Sequence, residues 1–172
     1  MSPFIGEFAG TALLITMGCG VVANVLLTGS KGQNSGWIVI TFGWGMAVFL
    51  GVYSSTSLGG SGHLNPAVTI ALTATGQFDA DMLPVYLMAQ FAGAIAGATI
   101  AWLAYFQHFA ATADKDLKLA VFCNAPAIRS VLPNLITEII GSFLLMFGAL
   151  AMSKPTNTLG TLDALPVGLL VL

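Results

Sequence analysis

Few side chains in this sequence are equipped for chemistry, and the first candidates are two acids. Glu7 and Glu138 are each the only charge within a long apolar stretch. An ionisable group in such a stretch is expensive and is a functional candidate by default. Two acids would suit proton carriage or acid–base work. They would equally suit a structural task, accepting hydrogen bonds from backbone N–H groups that lipid cannot satisfy. Each stands at the head of the pattern Glu-x-x-Gly-[Thr/Ser]-x-Leu-Leu, running from Glu7 to Leu14 and again from Glu138 to Leu145, 131 residues later. Recurrence at equivalent positions favours the brace, and neither acid need carry protons.

The second candidate is Gly59-Gly60-Ser61-Gly62-His63-Leu64-Asn65-Pro66-Ala67-Val68-Thr69. Asn is a good helix N-cap and Pro is at home at the first helical position. A short helix is therefore expected from Pro66 to about Thr75, too short to cross a bilayer. Asn-Pro alone is an ordinary turn signal. Here the helix start lies inside a very apolar chain, where irregular backbone must be buried in protein or line a water-filled cavity. Its free N–H groups carry partial positive charge. A capped start at that depth belongs to a transporter half-helix or to a pore. A lone His such as His63 is more often hydrogen-bonded in place than reactive, and its backbone is the expected working part.

The elements that must hold these residues follow from composition. Of 172 residues, 56% are hydrophobic and 7% are charged, against about 25% charged in soluble domains. With a mean hydropathy of +0.89, this is an integral membrane protein. The net charge of −2 and the lack of a basic tract give no nucleic-acid partner. Cys19 and Cys123 have no metal-ligand spacing, and no phosphate loop, catalytic triad or metal cluster is visible, so neither cofactor nor enzyme is expected. The N-terminus lacks the charged segment and cleavage site of a signal peptide.

A span needs roughly 20 residues. Spans are expected at residues 4–27, 37–53, 83–106 and 132–152, with a fifth beginning at 164. Gly6 and Gly10, and Ala89, Gly93 and Gly97, form small-residue faces for close helix packing. Gln90 falls within the third span and needs a buried partner. Residues 107–130, with His108 and several charges, read as a long exposed loop, and Asn124-Ala125-Pro126 as a turn. From the first helix to the fourth the chain crosses three times, so the second Glu motif is upside down, the signature of an inverted repeat. This predicts a second capped half-helix after the fifth span, beyond Leu172. The nine residues from Ala164 rise about 13 Å, and the chain reads as cut in mid-helix. The reading is one transmembrane domain over residues 1–172, with a first repeat at 1–107 and a partial second at 131–172.

Ser61-Gly62-His63-Leu64-Asn65-Pro66-Ala67-Val68-Thr69 closely resembles the first signature of the aquaporin and glycerol-facilitator family. The Glu7 motif, Gln90-x-x-Gly93-Ala94 and the Glu138 repeat fit that family in order and spacing. The resemblance implies an all-α, right-handed bundle of six spans and two half-helices, assembled as tetramers with one pore per subunit, with the present chain truncated in the fifth span. Phe42-Gly43-Trp44-Gly45 resembles the facilitator branch, where a Trp about this far before the signature His stands in the narrow filter; Trp44 is 19 residues before His63. Phe42 is the rival for that place. Residues two apart on a helix point about 200° apart, so only one faces the pore, and Trp44 is preferred.

By this resemblance Trp44, Gly60, Ser61, Gly62, His63, Leu64, Asn65, Pro66 and Ala67 form the pore, while Glu7, Glu138 and Gln90 brace its loops. Carbonyls of Gly60, Ser61, Gly62 and His63 would form a ladder of acceptors, Asn65 would donate its amide N–H, and Trp44 would face the carbon side of a polyol. Gly62 stands where the family usually has Ala, and the loop is about one residue longer. The implied function is passive diffusion of glycerol, water and other small neutral solutes through a homotetramer in the cell membrane, with the N-terminus in the cytoplasm. The alternatives are a water-selective channel and a truncated, non-conducting fragment. A cytoplasmic N-terminus places Lys31, Lys115, Lys118 and Arg129 outside and Lys154 inside, against the positive-inside rule.

Overall fold

The computed structural model describes residues 2–152 and 160–172. Four of its helical segments are long and apolar enough to cross a membrane: Pro3–Leu26, Trp37–Ser57, Ala80–Ala104 and Val131–Ala151. The helices in chain order are α1 (Pro3–Leu26), α2 (Trp37–Ser57), α3 (Pro66–Ala74), α4 (Leu83–Ala104), α5 (Phe106–Ala111), α6 (Lys115–Ala120), α7 (Val131–Ala151) and α8 (Leu165–Val171). α1 starts where the sequence marks it, with the Ser2 hydroxyl accepting from Ile5 N and Pro3 in the first turn.

Small residues set how the long helices meet. A Cβ placed on Gly10 would fall 2.7 Å from Gly51 O, and one on Gly51 would fall 3.0 Å from Gly10 O, so α1 and α2 touch backbone to backbone; with Gly6 against Ser55 and Gly18 against Trp44 they run antiparallel. On the other side of α1, a Cβ at Gly93 would fall 2.5 Å from Phe8 O and one at Gly97 2.5 Å from Ala12 O. Rising numbers on α4 meet rising numbers on α1, so these two helices are parallel. Both small-residue faces expected from sequence lie in these two contacts.

The directions make the intervening segment re-entrant. α2 ends on the face where α1 begins, because Gly6 lies against Ser55. α4 begins on that same face, because Gln90, in its second turn, bonds to Glu7. Residues 58–82 thus enter and leave from one side, carrying α3 inward.

Two differences from expectation have clear causes. α2 continues four residues past Tyr53, since Ser55 and Thr56 satisfy their hydroxyls on Glu7 and on the Val52 carbonyl and so remain helical. The stretch 107–130 is not a plain exposed loop. It holds α5 and α6, and Phe109, Thr112 and Val121 are buried. The Thr28 N–H donates to Thr112 Oγ1 at 2.9 Å, His108 Nδ1 lies 3.0 Å from Thr28 O, and Phe109 stacks on Phe122. Apolar residues within the stretch fold it onto the end of α1.

α8 lies antiparallel against α2, with a Cβ at Gly168 falling 2.6 Å from Gly45 O. α7 has no buried residue. The stretch 153–163, between the fourth expected span and the fifth, falls largely outside the described residues.

Candidate functional site

Glu7 is wholly buried and is saturated with donors. Its Oε1 accepts from Ser55 Oγ at 3.0 Å and from His63 N at 3.1 Å; its Oε2 accepts from Leu64 N and from Gln90 Nε2, each at 2.9 Å. A carboxylate that accepts from backbone N–H groups and amides supplies strong, charge-assisted bonds. Ser55 Oγ in turn accepts from Gly62 N at 3.2 Å.

These bonds orient the loop. No described peptide bond is cis. In a planar trans peptide the N–H points opposite to the carbonyl of the residue before it. The N–H groups of Gly62, His63 and Leu64 point at Ser55 and Glu7, so the carbonyls of Ser61, Gly62 and His63 point away from α1's buried acid. The turn needs left-handed backbone at Gly62 (φ 73°) and at Leu64 (φ 52°). For Leu this costs of order 1 kcal/mol and persists only where the surroundings enforce it. The Leu64 side chain supplies that enforcement, buried in the space left by Gly10 and Gly51.

α3 follows with the expected cap. Asn65 Oδ1 accepts from Ala67 N at 2.9 Å, and Pro66 takes the first turn. With Oδ1 so occupied, the amide Nδ2 is the free end of Asn65. Thr69, one turn into α3, accepts from Gln90 Nε2 at 2.9 Å and lies 3.2 Å from His63 Nδ1. The His63 ring packs among Phe78 and Tyr86, and Tyr86 OH lies 2.8 Å from Ser61 Oγ. Ser55 and Phe78 carry no signal in the sequence beyond a polar or aromatic type beside the Gly-rich stretch; Thr69 closes the signature stretch itself, but nothing local marks its bond to Gln90 or the approach of Tyr86 to Ser61.

Beside the loop lies a cavity of about 620 Å³. Ser61, Gly62, His63, Leu64, Asn65 and Pro66 line it in succession, and Trp44 lines it from α2. Most of the remaining wall is aliphatic, including Leu14, Ile15, Val48 and Val52. Phe42 is exposed and borders a separate small recess between α2 and α8. Of the two aromatics, Trp44 is the one on the cavity.

Two expected pore residues, Gly60 and Ala67, are not among those that line this cavity. Gly60 is pressed between Gly6 and Ser55, its N–H donating to Ser55 O at 2.9 Å. Ala67 is the residue whose N–H is capped by Asn65. Gln90 takes the bracing place, but Glu138 braces nothing among the described residues: it is exposed on α7.

A family model described as Major intrinsic protein matches residues 1–172. A "Probable glycerol uptake facilitator protein" of Thermotoga maritima is 50% identical over 171 residues, covering 99% of this chain and 72% of that protein. The "Glycerol uptake facilitator protein" of Bacillus subtilis is 45% identical over 171 residues, covering 99% of this chain and 62% of its own. Among solved structures, the aquaglyceroporin from Plasmodium falciparum aligns with a TM-score of 0.78 at 31% identity, over 98% of this chain and 69% of that one.

Proposed function

Because this chain belongs to the major intrinsic protein family, we propose that it is a passive membrane channel through which glycerol, and with it water and other small neutral solutes, diffuse down their gradients. Its similarity to proteins named as glycerol uptake facilitators and to an aquaglyceroporin supports that solute class. The observation that carries the reading is the one-sided polarity of the cavity. Three carbonyls held outward by Glu7 and Ser55 stand in sequence with the free amide of Asn65, while Trp44 and aliphatic side chains make up most of the rest of the wall.

A polyol has hydroxyls along one side and C–H groups along the other. The carbonyls of Ser61, Gly62 and His63 accept from successive hydroxyls, and Asn65 Nδ2 donates to a hydroxyl oxygen at the α3 start. Trp44 meets the carbon side. These groups replace hydrogen bonds that the solute loses to bulk water, while the apolar wall lets it slide. The partial positive charge at the start of α3 disfavours cations. No bond in the solute is made or broken.

The same reading takes residues 1–172 as one transmembrane domain made of a first repeat and part of an inverted second. It sets the protein as a homotetramer in the cell membrane with its N-terminus in the cytoplasm. The exposed apolar outer faces, such as Phe91 and Ile95 on α4, suit lipid or neighbouring subunits. On this topology Lys31 and the charges of α6 lie outside, because α6 folds back to the end of α1.

Swelling of proteoliposomes in glycerol, compared with an impermeant sugar, tests the function. Rapid glycerol-driven swelling is expected; water flux without glycerol flux would make the channel water-selective and overturn the reading. A second expectation concerns Gly18. A Cβ there would overlap the Trp44 ring, and the ring's open side is the cavity. Gly18→Ala is expected to push Trp44 into the passage, at a strain of about 1–3 kcal/mol. Glycerol flux per folded molecule should fall more than water flux; equal rates to the parent protein would remove Trp44 from the passage.

A further inference from the structure

Two buried polar atoms in the site have no partner: Thr11 Oγ1 and Gln90 Oε1. Both residues line the cavity, and their side chains are 3% and 1% exposed. They belong to one seam. On α1, Thr11 is one turn beyond Glu7; on α4, Gly93 is one turn beyond Gln90. Glu7 bonds to Gln90, and Thr11 Cβ lies 3.0 Å from where a Cβ on Gly93 would stand.

The Gln90 amide cannot be turned to relieve its oxygen. Nε2 donates to Glu7 Oε2 and to Thr69 Oγ1, each at 2.9 Å, and a carboxylate oxygen can only accept. Thr11 is equally out of line. Every other threonine within a described α-helix bonds its hydroxyl to a carbonyl three or four residues back: Thr16, Thr41, Thr56, Thr69, Thr73, Thr99 and Thr137. Thr11 does not. An acceptor and a hydroxyl left bare at one seam forfeit the hydrogen bonds they made to water, and buried groups of this kind are normally met by a fixed water making two to four such bonds.

We infer that the seam holds a hydroxylic oxygen between Thr11 Oγ1 and Gln90 Oε1, at the depth of the α3 start. The occupant donates to Gln90 Oε1 and exchanges a hydrogen bond with Thr11 Oγ1. Either a resident water or a hydroxyl of a passing polyol has this chemistry. Filling the site fixes the Gln90 amide so that both its hydrogens stay on Glu7 and Thr69, which links the occupant to the brace of the half-helix. The polyol occupant rests on the proposed glycerol channel; the resident water does not.

The test is a structure of this protein at a resolution that shows ordered water, once without polyol and once in glycerol. The expected result is an oxygen within about 2.7–3.2 Å of both atoms. Its presence in both conditions makes it a resident water; its appearance only in glycerol, joined to carbon density, makes it a solute hydroxyl. Absence of any oxygen on Gln90 Oε1, or a Thr11 hydroxyl turned back onto its own helix, overturns the inference. Thr11→Val keeps the shape and removes the hydroxyl, and Thr11→Ser keeps the hydroxyl. The oxygen should vanish in the first and persist in the second. For a resident water, Thr11→Val slows glycerol and water alike; for a solute hydroxyl it slows glycerol selectively. A Thr11→Val protein that retains the oxygen unchanged also overturns it.

Discussion

Replacing Glu7 with leucine is expected to abolish both the fold of the re-entrant loop and solute flux. The substitution puts a side chain of broadly similar size in place and removes the acceptor of four hydrogen bonds. Ser55 can turn its hydroxyl elsewhere, but the N–H groups of His63 and Leu64 and one hydrogen of Gln90 have no substitute. Each orphaned donor costs about 1–3 kcal/mol, and three together, about 3–9 kcal/mol, are a large loss against the 5–15 kcal/mol that stabilises a typical domain. Glu7→Gln is milder. Its oxygen can serve Leu64 and Gln90 while its amide donates to the Ser55 hydroxyl, leaving one backbone N–H, that of His63, unmet. The expected order of thermal stability and of glycerol flux is parent, then Gln, then Leu, with the two properties falling together. A Gln variant as stable as the parent yet without flux would show instead that Glu7 acts by its charge or its proton, and the bracing account would fail.

The brace was legible in the sequence because it is written twice. Glu7 and Glu138 stand at the same place in a repeated pattern, and a carboxylate in an apolar span must find donors. The capped half-helix was legible because Asn-Pro is a local signal: the Asn65 cap depends on atoms two residues apart. Trp44 was chosen over Phe42 from the family resemblance and the angle between neighbouring helical residues, and it is Trp44 that borders the cavity. What escaped were contacts between segments remote in sequence. Ser55 lies just past the expected end of the second span at residue 53, yet its hydroxyl sits between Glu7 and Gly62. Gly60 reads as a lining carbonyl, and nothing local in the sequence reports that Gly6 packs against its N and Cα. Thr112 and His108 read as exposed loop, yet they clip α5 to Thr28, 80 or more residues away. Periodicity and turn chemistry describe a segment's own neighbours, and nothing in them reports which distant carbonyl a hydroxyl will meet.

That dependence on remote backbone makes Gly6 the second position of large effect. A Cβ on Gly6 would land on Gly60 N, 2.6 Å from Gly60 Cα and 2.7 Å from Ser55 O. All three atoms are backbone, on two different segments, so no side-chain rotation clears the space. The loop must move away from α1, and the bonds that orient its carbonyls have little slack: His63 N and Leu64 N are 3.1 and 2.9 Å from Glu7. A shift of an ångström breaks both. Gly6→Ala is therefore expected to cost at least the upper end of the usual 1–3 kcal/mol for overpacking and to remove most glycerol flux, although it adds one methyl group far from the Asn65 amide. Gly20→Ala is the matched control. It lies on the same helix, where the nearest atom to a new Cβ is 4.0 Å away on Tyr105, and replacing a helical Gly there should stabilise by up to about 1 kcal/mol. Thermal unfolding in detergent and glycerol flux, measured on both variants, separate the two cases. If Gly6→Ala conducts like Gly20→Ala, the loop is not held against α1 in the way its hydrogen bonds require, and the outward carbonyls lose their physical basis.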